Sequence, residues 1–314
     1  MSVFAGQRTE TRITVLHADG DAPPGLEGVR HATDDTLAAA LPGTEVLLVW
    51  DFNSDAVRDH WAAADALRWV HTASAGVDRL TFPALLDSPV ILTNSRGVFD
   101  APMAEYVLGL VLAMAKDIPG SLAAQARREW RHRETEPVAG RCAVVVGGGP
   151  IGGAIARLLG AVGMQVELVG RREFGTLAAL LPRADWLVLA APLTAATRGM
   201  LDAEALALMR PTARVINVGR GGLVVEPDLV AALRTGRIAG AALDVFAREP
   251  LPAESPLWEL PGVIVSPHMS GDVVGWRETL VELFTDNLAR YQAGKPLRNV
   301  VDKRLGYVSS GSPA

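Results

Sequence analysis

Three polar segments carry the side chains best suited to chemistry: Asn217-Val-Gly-Arg-Gly221, Asp244-Val-Phe-Ala-Arg-Glu-Pro250 and Ser266-Pro-His-Met-Ser-Gly271. They contribute Arg220, Glu249 and His268, each a short way behind an apolar run. The planar fork of an arginine can bridge a carboxylate and a neighbouring carbonyl oxygen, which a lysine cannot do. A histidine can protonate an alkoxide as it develops on a ketone receiving hydride. Glu249 can pair with His268, orienting the ring and favouring its charged form, which matters because an unperturbed imidazole titrates at about pH 6.5. Singly these residues are ordinary. A lone arginine is usually surface charge, a lone histidine a hydrogen-bonded structural residue, and Glu-Pro a loop. Their order, and their placement behind successive strands, is what argues for a site that reduces a 2-oxo acid.

The elements that must position them are short apolar runs: Cys142 to Val146, Gln165 to Val169, Trp186 to Ala190, Arg214 to Val218, Ile238 to Asp244 and Val263 to Ser266. Helical patterns separate most of them, which predicts a doubly wound parallel sheet. Cys142-Ala-Val-Val-Val146 is almost purely apolar, as a strand buried on both faces requires. Behind it stands Gly147-Gly-Gly-Pro-Ile-Gly152, with the GxGxxG spacing between a strand and a small-residue helix over 153–161. In that context Gly147 permits the tight turn, Gly149 lets the backbone approach a pyrophosphate, and Gly152 allows close helix–strand packing. The end of the next strand normally supplies an acid for the ribose hydroxyls of NAD. Here the chain reads Val169-Gly170-Arg171-Arg172, which lacks that acid and offers two guanidinium groups for a phosphate. The expectation is a preference for NADP(H), with NAD(H) as the alternative; the bland reading is two solvated arginines.

Residues 12–89 alternate in the same way. Strands are expected at Ile13 to His17, Glu45 to Trp50, Leu67 to His71 and Val90 to Thr93, with a helix from Asp55 to Ala66. The loop Thr72-Ala-Ser-Ala-Gly-Val-Asp78 has backbone that a ligand could approach, or is an ordinary turn. A long helix is expected from Ala101 to Lys116, bridging two domains, then a polar stretch from Arg127 to Pro137. A last helix is expected over 287–295, and the tail Ser309 to Ala314 reads as frayed. Trp50, Phe52, Trp130 and Trp276 either line a pocket or fill cores, and aromatics are more often core.

With 49% apolar residues among 314, the chain can bury two ordinary cores. Thirty basic against 35 acidic residues, a formal charge of -5, leave no general field for nucleic acid or an anionic membrane. A single cysteine, Cys142, excludes an internal disulfide framework, and no metal-ligand cluster is apparent. No export signal is apparent and no apolar run reaches the about 20 residues a span needs. A cytoplasmic protein without nucleic-acid or membrane partners is expected.

Taken together these segments resemble the D-isomer-specific 2-hydroxyacid dehydrogenase family, especially its glyoxylate and hydroxypyruvate reductase branch. The matching stretches run over nearly the whole chain: Ala73 to Asp78, Asn94 to Tyr106, Gly147 to Gly152, Pro192-Leu-Thr194, Asn217 to Gly221, Ala242 to Phe246 with Glu249-Pro250, and Ser266-Pro-His268 with Gly271. The resemblance implies that Arg220 holds the substrate, His268 is the acid/base, Glu249 its partner, and backbone at Ala75 and Gly76 cradles the carboxylate. It implies dinucleotide contacts from Gly147, Gly149, Pro150, Ile151, Gly152, Arg171, Arg172, Pro192, Thr197, Val218, Asp244, His268 and Gly271, with Asp244 facing the nicotinamide carboxamide. It implies an α/β fold of two Rossmann-like doubly wound domains: a dinucleotide-binding domain, 99–287, inserted in a flavodoxin-like substrate domain, 1–98 plus 288–314. It further implies closure about the connecting helices, a homodimer, and a small 2-oxo or 2-hydroxy acid as substrate. Formate or phosphite oxidation is the alternative within enzymes, although the formate branch is similar to a Gln-His rather than a Glu-His arrangement. A dinucleotide-sensing corepressor is the alternative outside them. Gly170 departs from the family's common NAD pattern.

Overall fold

The architecture is that of a computed structural model, which describes residues 11–308. The tail expected to be frayed lies outside the described residues. The chain divides into two compact units: residues 11–98 with 274–308, and Phe99–Val273. The polypeptide therefore leaves the first unit once and returns to it once. The return comes at Val274 rather than at 288, because the last helix is longer than its polar sequence suggests. It spans Trp276–Gln292, and its Leu280, Phe284 and Asn287 are buried. Phe284 stacks on Trp69 of the first unit at 5.4 Å between ring centroids.

In the first unit five strands lie in one parallel sheet: β1 (Ile13–Leu16), β2 (Arg30–Ala32), β3 (Val46–Val49), β4 (Trp69–Thr72) and β5 (Ile91–Thr93). Their order is β2-β1-β3-β4-β5, the flavodoxin-like order. β2 has no apolar run to announce it and pairs only through its register with β1, Val15 opposite His31. The helix expected from Asp55 to Ala66 is broken. An α-turn over Ala56–Asp59 ends at His60, and a 3-10 turn follows over Trp61–Ala63. The side chain of Trp61 packs edge-on against Phe82, and Asp65 accepts from the amide of Gly43. Those tertiary contacts override a weak local helical preference.

The second unit holds six parallel strands: β6 (Cys142–Val146), β7 (Gln165–Val169), β8 (Trp186–Leu189), β9 (Arg214–Asn217), β10 (Gly240–Leu243) and β11 (Val263–Val265). Alternate side chains of one strand face opposite layers. Val144, Val146, Leu187, Leu189 and Val215 enter one core, while Ala143, Val145, Trp186, Val188 and Ile216 enter the other. Burying each Val or Leu side chain contributes roughly 1.5–3 kcal/mol, so the apolar character of β6 reflects burial on both faces. The helix Asp100–Ala115 packs against the Pro150–Ala161 helix within this unit, and only one face of it is enclosed; Leu112 is partly exposed. Among the described residues, no single helix is long and apolar enough to cross a membrane.

The strand order is β11-β10-β9-β8-β6-β7. A dinucleotide-binding sheet of six strands commonly carries a third strand beyond the second. Here the link from β7 to β8 contains only short helical turns, Arg171–Thr176, Leu177–Leu180 and Leu181–Arg183. β7 is thus the sheet's edge, and Gln165, Glu167 and Leu168 are exposed.

Candidate active site

The glycine-rich turn shows why each glycine is there. Gly147 has φ +127°, and a Cβ on it would lie 2.5 Å from the Ala190 carbonyl oxygen. A Cβ on Gly152 would stand 1.8 Å from the Gly147 carbonyl oxygen, so the first turn of the helix is pressed against the strand end. Gly149 instead caps the Pro150–Ala161 helix with no atom within 4 Å of its Cβ position, leaving open space above the helix N-terminus. Packed glycines beneath and an open one above form a cradle that fits a diphosphate. It lies where β6 is flanked by β7 on one side and β8 on the other, the point where such sheets bind ligands.

The three polar segments stand at the same carboxyl edge. Behind β9, the Asn217 side chain accepts from the Gly219 amide at 3.1 Å and donates to the Arg220 carbonyl at 3.0 Å. A Cβ on Gly221 would lie 1.9 Å from the Phe246 backbone, so this loop has no freedom to drift. The Arg220 guanidinium donates to the Gly219 carbonyl. Behind β11, His268 adopts φ +52°, a conformation uncommon outside glycine. Its amide donates to the Asp244 carbonyl at 2.8 Å. The Asp244 carboxylate, fully buried, accepts from Ser266 Oγ at 2.7 Å, the Met269 amide at 3.0 Å and the Ser270 amide at 2.9 Å. Three of its roughly four acceptor positions are taken by the loop that carries His268.

His268 Nδ1 lies 2.7 Å from Glu249 Oε2, while Glu249 Oε1 accepts from the Phe246 amide at 2.9 Å. Burial opposes ionisation of Glu249. The hydrogen bonds from His268 and Phe246 and the positive charge of His268 and Arg220 outweigh it, so the carboxyl is held below its ordinary range. A glutamate held charged beside an imidazole orients the ring and leaves its Nε2 for a proton transfer.

The remaining expected contacts divide. Gly147, Gly149 and Gly152, with Pro150 and Ile151, form the cradle. Arg171 and Arg172 are exposed on the turn behind β7, and Pro192 is exposed behind β8. Thr197 is a correction: it is wholly buried, its hydroxyl donating to the Pro192 carbonyl at 2.7 Å and accepting from the Thr194 amide at 2.8 Å. It shapes the 192–197 turn and has no surface to offer a ligand. The Val218 side chain is likewise in the core, leaving only backbone. Gly271 is required because a Cβ would meet the Phe99 ring at 2.7 Å.

Ala75 and Gly76 belong to the first unit. Among the described residues their amides donate to no other group. Asn94 Nδ2 donates to the Ala75 carbonyl at 2.6 Å and Ser74 Oγ to the Gly76 carbonyl at 2.6 Å, so the loop is held by its carbonyls with its donors left over. Trp50 and Trp276 of this unit stack on one another at 6.3 Å, with the Arg277 guanidinium against both rings and paired with Asp21. Trp130, expected in a pocket or a core, is instead almost fully exposed.

Sequence reasoning placed Asn217 and Ser266 in its polar segments but gave neither a role, and it missed Phe99. Asn217 and Ser266 fall at the ends of β9 and β11, and a polar residue ending an otherwise apolar strand is the signal that could have assigned them one. Phe99 gave none, being one aromatic among several.

Two parallel α/β units, one of them with a glycine cradle and a Glu-His pair at its carboxyl edge, define a dinucleotide-dependent type of α/β protein. Residues 108–270 match the profile of the D-isomer specific 2-hydroxyacid dehydrogenase NAD binding domain. The chain belongs to that family. It is 30% identical to a D-3-phosphoglycerate dehydrogenase of Methanocaldococcus jannaschii across 93% of its own length, but spans only 57% of that relative. It is 30% identical to a glyoxylate reductase of Thermofilum pendens, covering 93% of this chain and 88% of the relative. The structure of an NADPH-dependent glyoxylate/hydroxypyruvate reductase from Sinorhizobium meliloti, in complex with NADP and sulfate, superposes with a TM-score of 0.79 at 28% identity, covering 95% of this chain and 100% of that one.

Proposed function

We propose that the protein reduces small 2-oxo acids of the glyoxylate and hydroxypyruvate kind to D-2-hydroxy acids, with NADP(H) preferred over NAD(H). The observation that carries this reading is the His268–Glu249 hydrogen bond at 2.7 Å, on the same sheet edge as Arg220 and the glycine cradle. When bound, the reduced nicotinamide supplies hydride to the carbonyl carbon of the acid. Arg220 binds the substrate's carboxylate and polarises the ketone; in the first unit, taken by itself, the spare amides of Ala75 and Gly76 are suited to a carboxylate oxygen. His268 holds a proton at Nε2 and gives it to the oxygen as negative charge develops there, while Glu249 orients the ring through Nδ1. Gly147 to Gly152 hold the pyrophosphate, Arg171 and Arg172 the 2'-phosphate, and backbone near Pro192 and Val218 the nicotinamide ribose side. Asp244 anchors the His268 loop and keeps one acceptor position for the carboxamide.

In this reading the inserted unit is the dinucleotide domain and carries Arg220 and His268, and the discontinuous unit is the substrate domain. A homodimer is supported by the exposed Leu112, Ile118, Leu122 and Trp130 on one stretch of chain. A cytoplasmic location is supported by the single cysteine. Loss of reduced-nicotinamide absorbance with glyoxylate, hydroxypyruvate, pyruvate and phenylpyruvate, each with NADPH and NADH, tests the assignment. Turnover faster with NADPH is expected. Dinucleotide binding without turnover of any acid would favour a sensor over a reductase.

A further inference from the structure

Gly170 ends β7 where an acid would usually stand, yet its backbone does not call for glycine. Its φ of -83° and ψ of 178° are open to any residue. What fills the space is a side chain from further along. A Cβ built on Gly170 would lie 2.7 Å from Glu173 Oε2. By standard bond lengths an aspartate's own carboxylate oxygens sit about 2.4 Å from its Cβ. The Glu173 carboxylate therefore has an oxygen at about the distance from that Cβ at which an aspartate at position 170 would hold its own. The turn sets the backbone from which it reaches: the Glu173 amide donates to the Gly170 carbonyl at 2.9 Å, and the Glu173 carbonyl accepts from Thr176 Oγ1 at 2.7 Å. The position also adjoins the cradle, since a Cβ on Gly148 would be 3.0 Å from the Gly170 Cα.

We propose that Glu173 is a specificity-determining residue that supplies, from three positions downstream, the carboxylate missing at the strand end. It accepts hydrogen bonds from the adenosine ribose hydroxyls of NAD(H) and opposes the 2'-phosphate that Arg171 and Arg172 attract. The turn thus carries both determinants at once, and the preference for NADP(H) is narrower than two arginines alone would set. This rests on the dinucleotide-binding reading of the cradle.

Equilibrium binding of NADH and NADPH to the full chain, read by reduced-nicotinamide fluorescence, tests it. Glu173→Gln is expected to weaken NADH about tenfold, as loss of a charge-assisted pair of hydrogen bonds does, while NADPH binds as well or better. Glu173→Asp, which withdraws the carboxylate by one methylene, should fall between. Because Glu173 is exposed, both variants should melt as the parent does. Equal changes for the two dinucleotides, or no change in either, would overturn the role of Glu173 while leaving the cradle in place. Failure of the parent to bind either dinucleotide would overturn the reading of the cradle and this assignment with it.

Discussion

Two regions at one edge of the second sheet are built on opposite principles. The loop that carries His268 hangs from a fully buried carboxylate, with three donors converging on Asp244. The turn behind β7 has its charged groups, Arg171, Arg172 and Glu173, in solvent at the end of an edge strand. A buried, satisfied network fixes position to a fraction of an ångström and is costly to alter. An exposed turn fixes little and can change at small cost in stability. On the proposed reading the proton-transfer geometry sits in the first and the choice of dinucleotide in the second, so chemistry and cofactor selection should respond to substitution independently.

The largest expected effect removes the acid itself. His268→Ala should lower kcat by about 10²–10⁴, with dinucleotide affinity unchanged by titration; unaltered turnover would remove His268 from the mechanism. Arg220→Ala should raise KM and lower kcat together in steady-state kinetics, because it acts on both bound acid and developing charge. Asp244→Ala should act through the loop. It leaves a buried hydroxyl and two amides without an acceptor, at about 1–3 kcal/mol for each group left unpaired. Urea unfolding should report that loss, and kcat should fall with it although Asp244 does not transfer the proton. A stable variant with full activity would show that the loop needs no such anchor.

How much of this was legible in the sequence follows the same division. The apolar runs gave nearly every strand, because strands buried on both faces leave no room for polar residues, as β6 and β8 show. β2, an edge strand reading Arg30-His-Ala32, was missed because only its pairing with β1 makes it a strand. Gly147, Gly149 and Gly152 could be assigned separate tasks from spacing alone, since each is required by a local clash or a local opening. Glu249 and His268 could be paired only as an idea, their 2.7 Å contact depending on two loops from different strands. Thr197 was misread as a ligand contact because a threonine that ties a turn and one that faces a ligand look identical in one dimension. The return to the first unit was placed too late, because the polar residues of Trp276–Gln292 hid a helix whose buried face is narrow.

The exposed turn should yield to a single change. Gly170→Asp is compatible with the backbone, and the only close atom, Glu173 Oε2, is the end of a flexible side chain. The new carboxylate should displace that of Glu173 and, fixed to the strand end on a shorter side chain, repel a 2'-phosphate and accept the ribose hydroxyls more firmly, moving the NADPH to NADH ratio of kcat/KM toward NADH. Turnover with the better dinucleotide should stay near the parent's. If kcat collapses with both, the two regions are coupled and the contrast between them fails.

The smallest effect is a displacement along the pH axis. Glu249 is held below the ordinary carboxylate range, so it is charged at every pH where an imidazole changes its protonation. A group depressed in this way contributes stability above its unfolded value and loses it as the pH falls through its folded value. The parent should therefore lose that contribution only in acid, and Glu249→Gln should lack it throughout. In catalysis the same carboxylate orients the ring through its 2.7 Å contact at Nδ1, so Glu249→Gln should also lower kcat in both directions of the reaction. Urea unfolding of parent and variant followed from neutral into acid pH checks the stability claim: the two should differ at neutral pH and converge in acid, and a difference that does not change with pH would show that the charge of Glu249 contributes no stability.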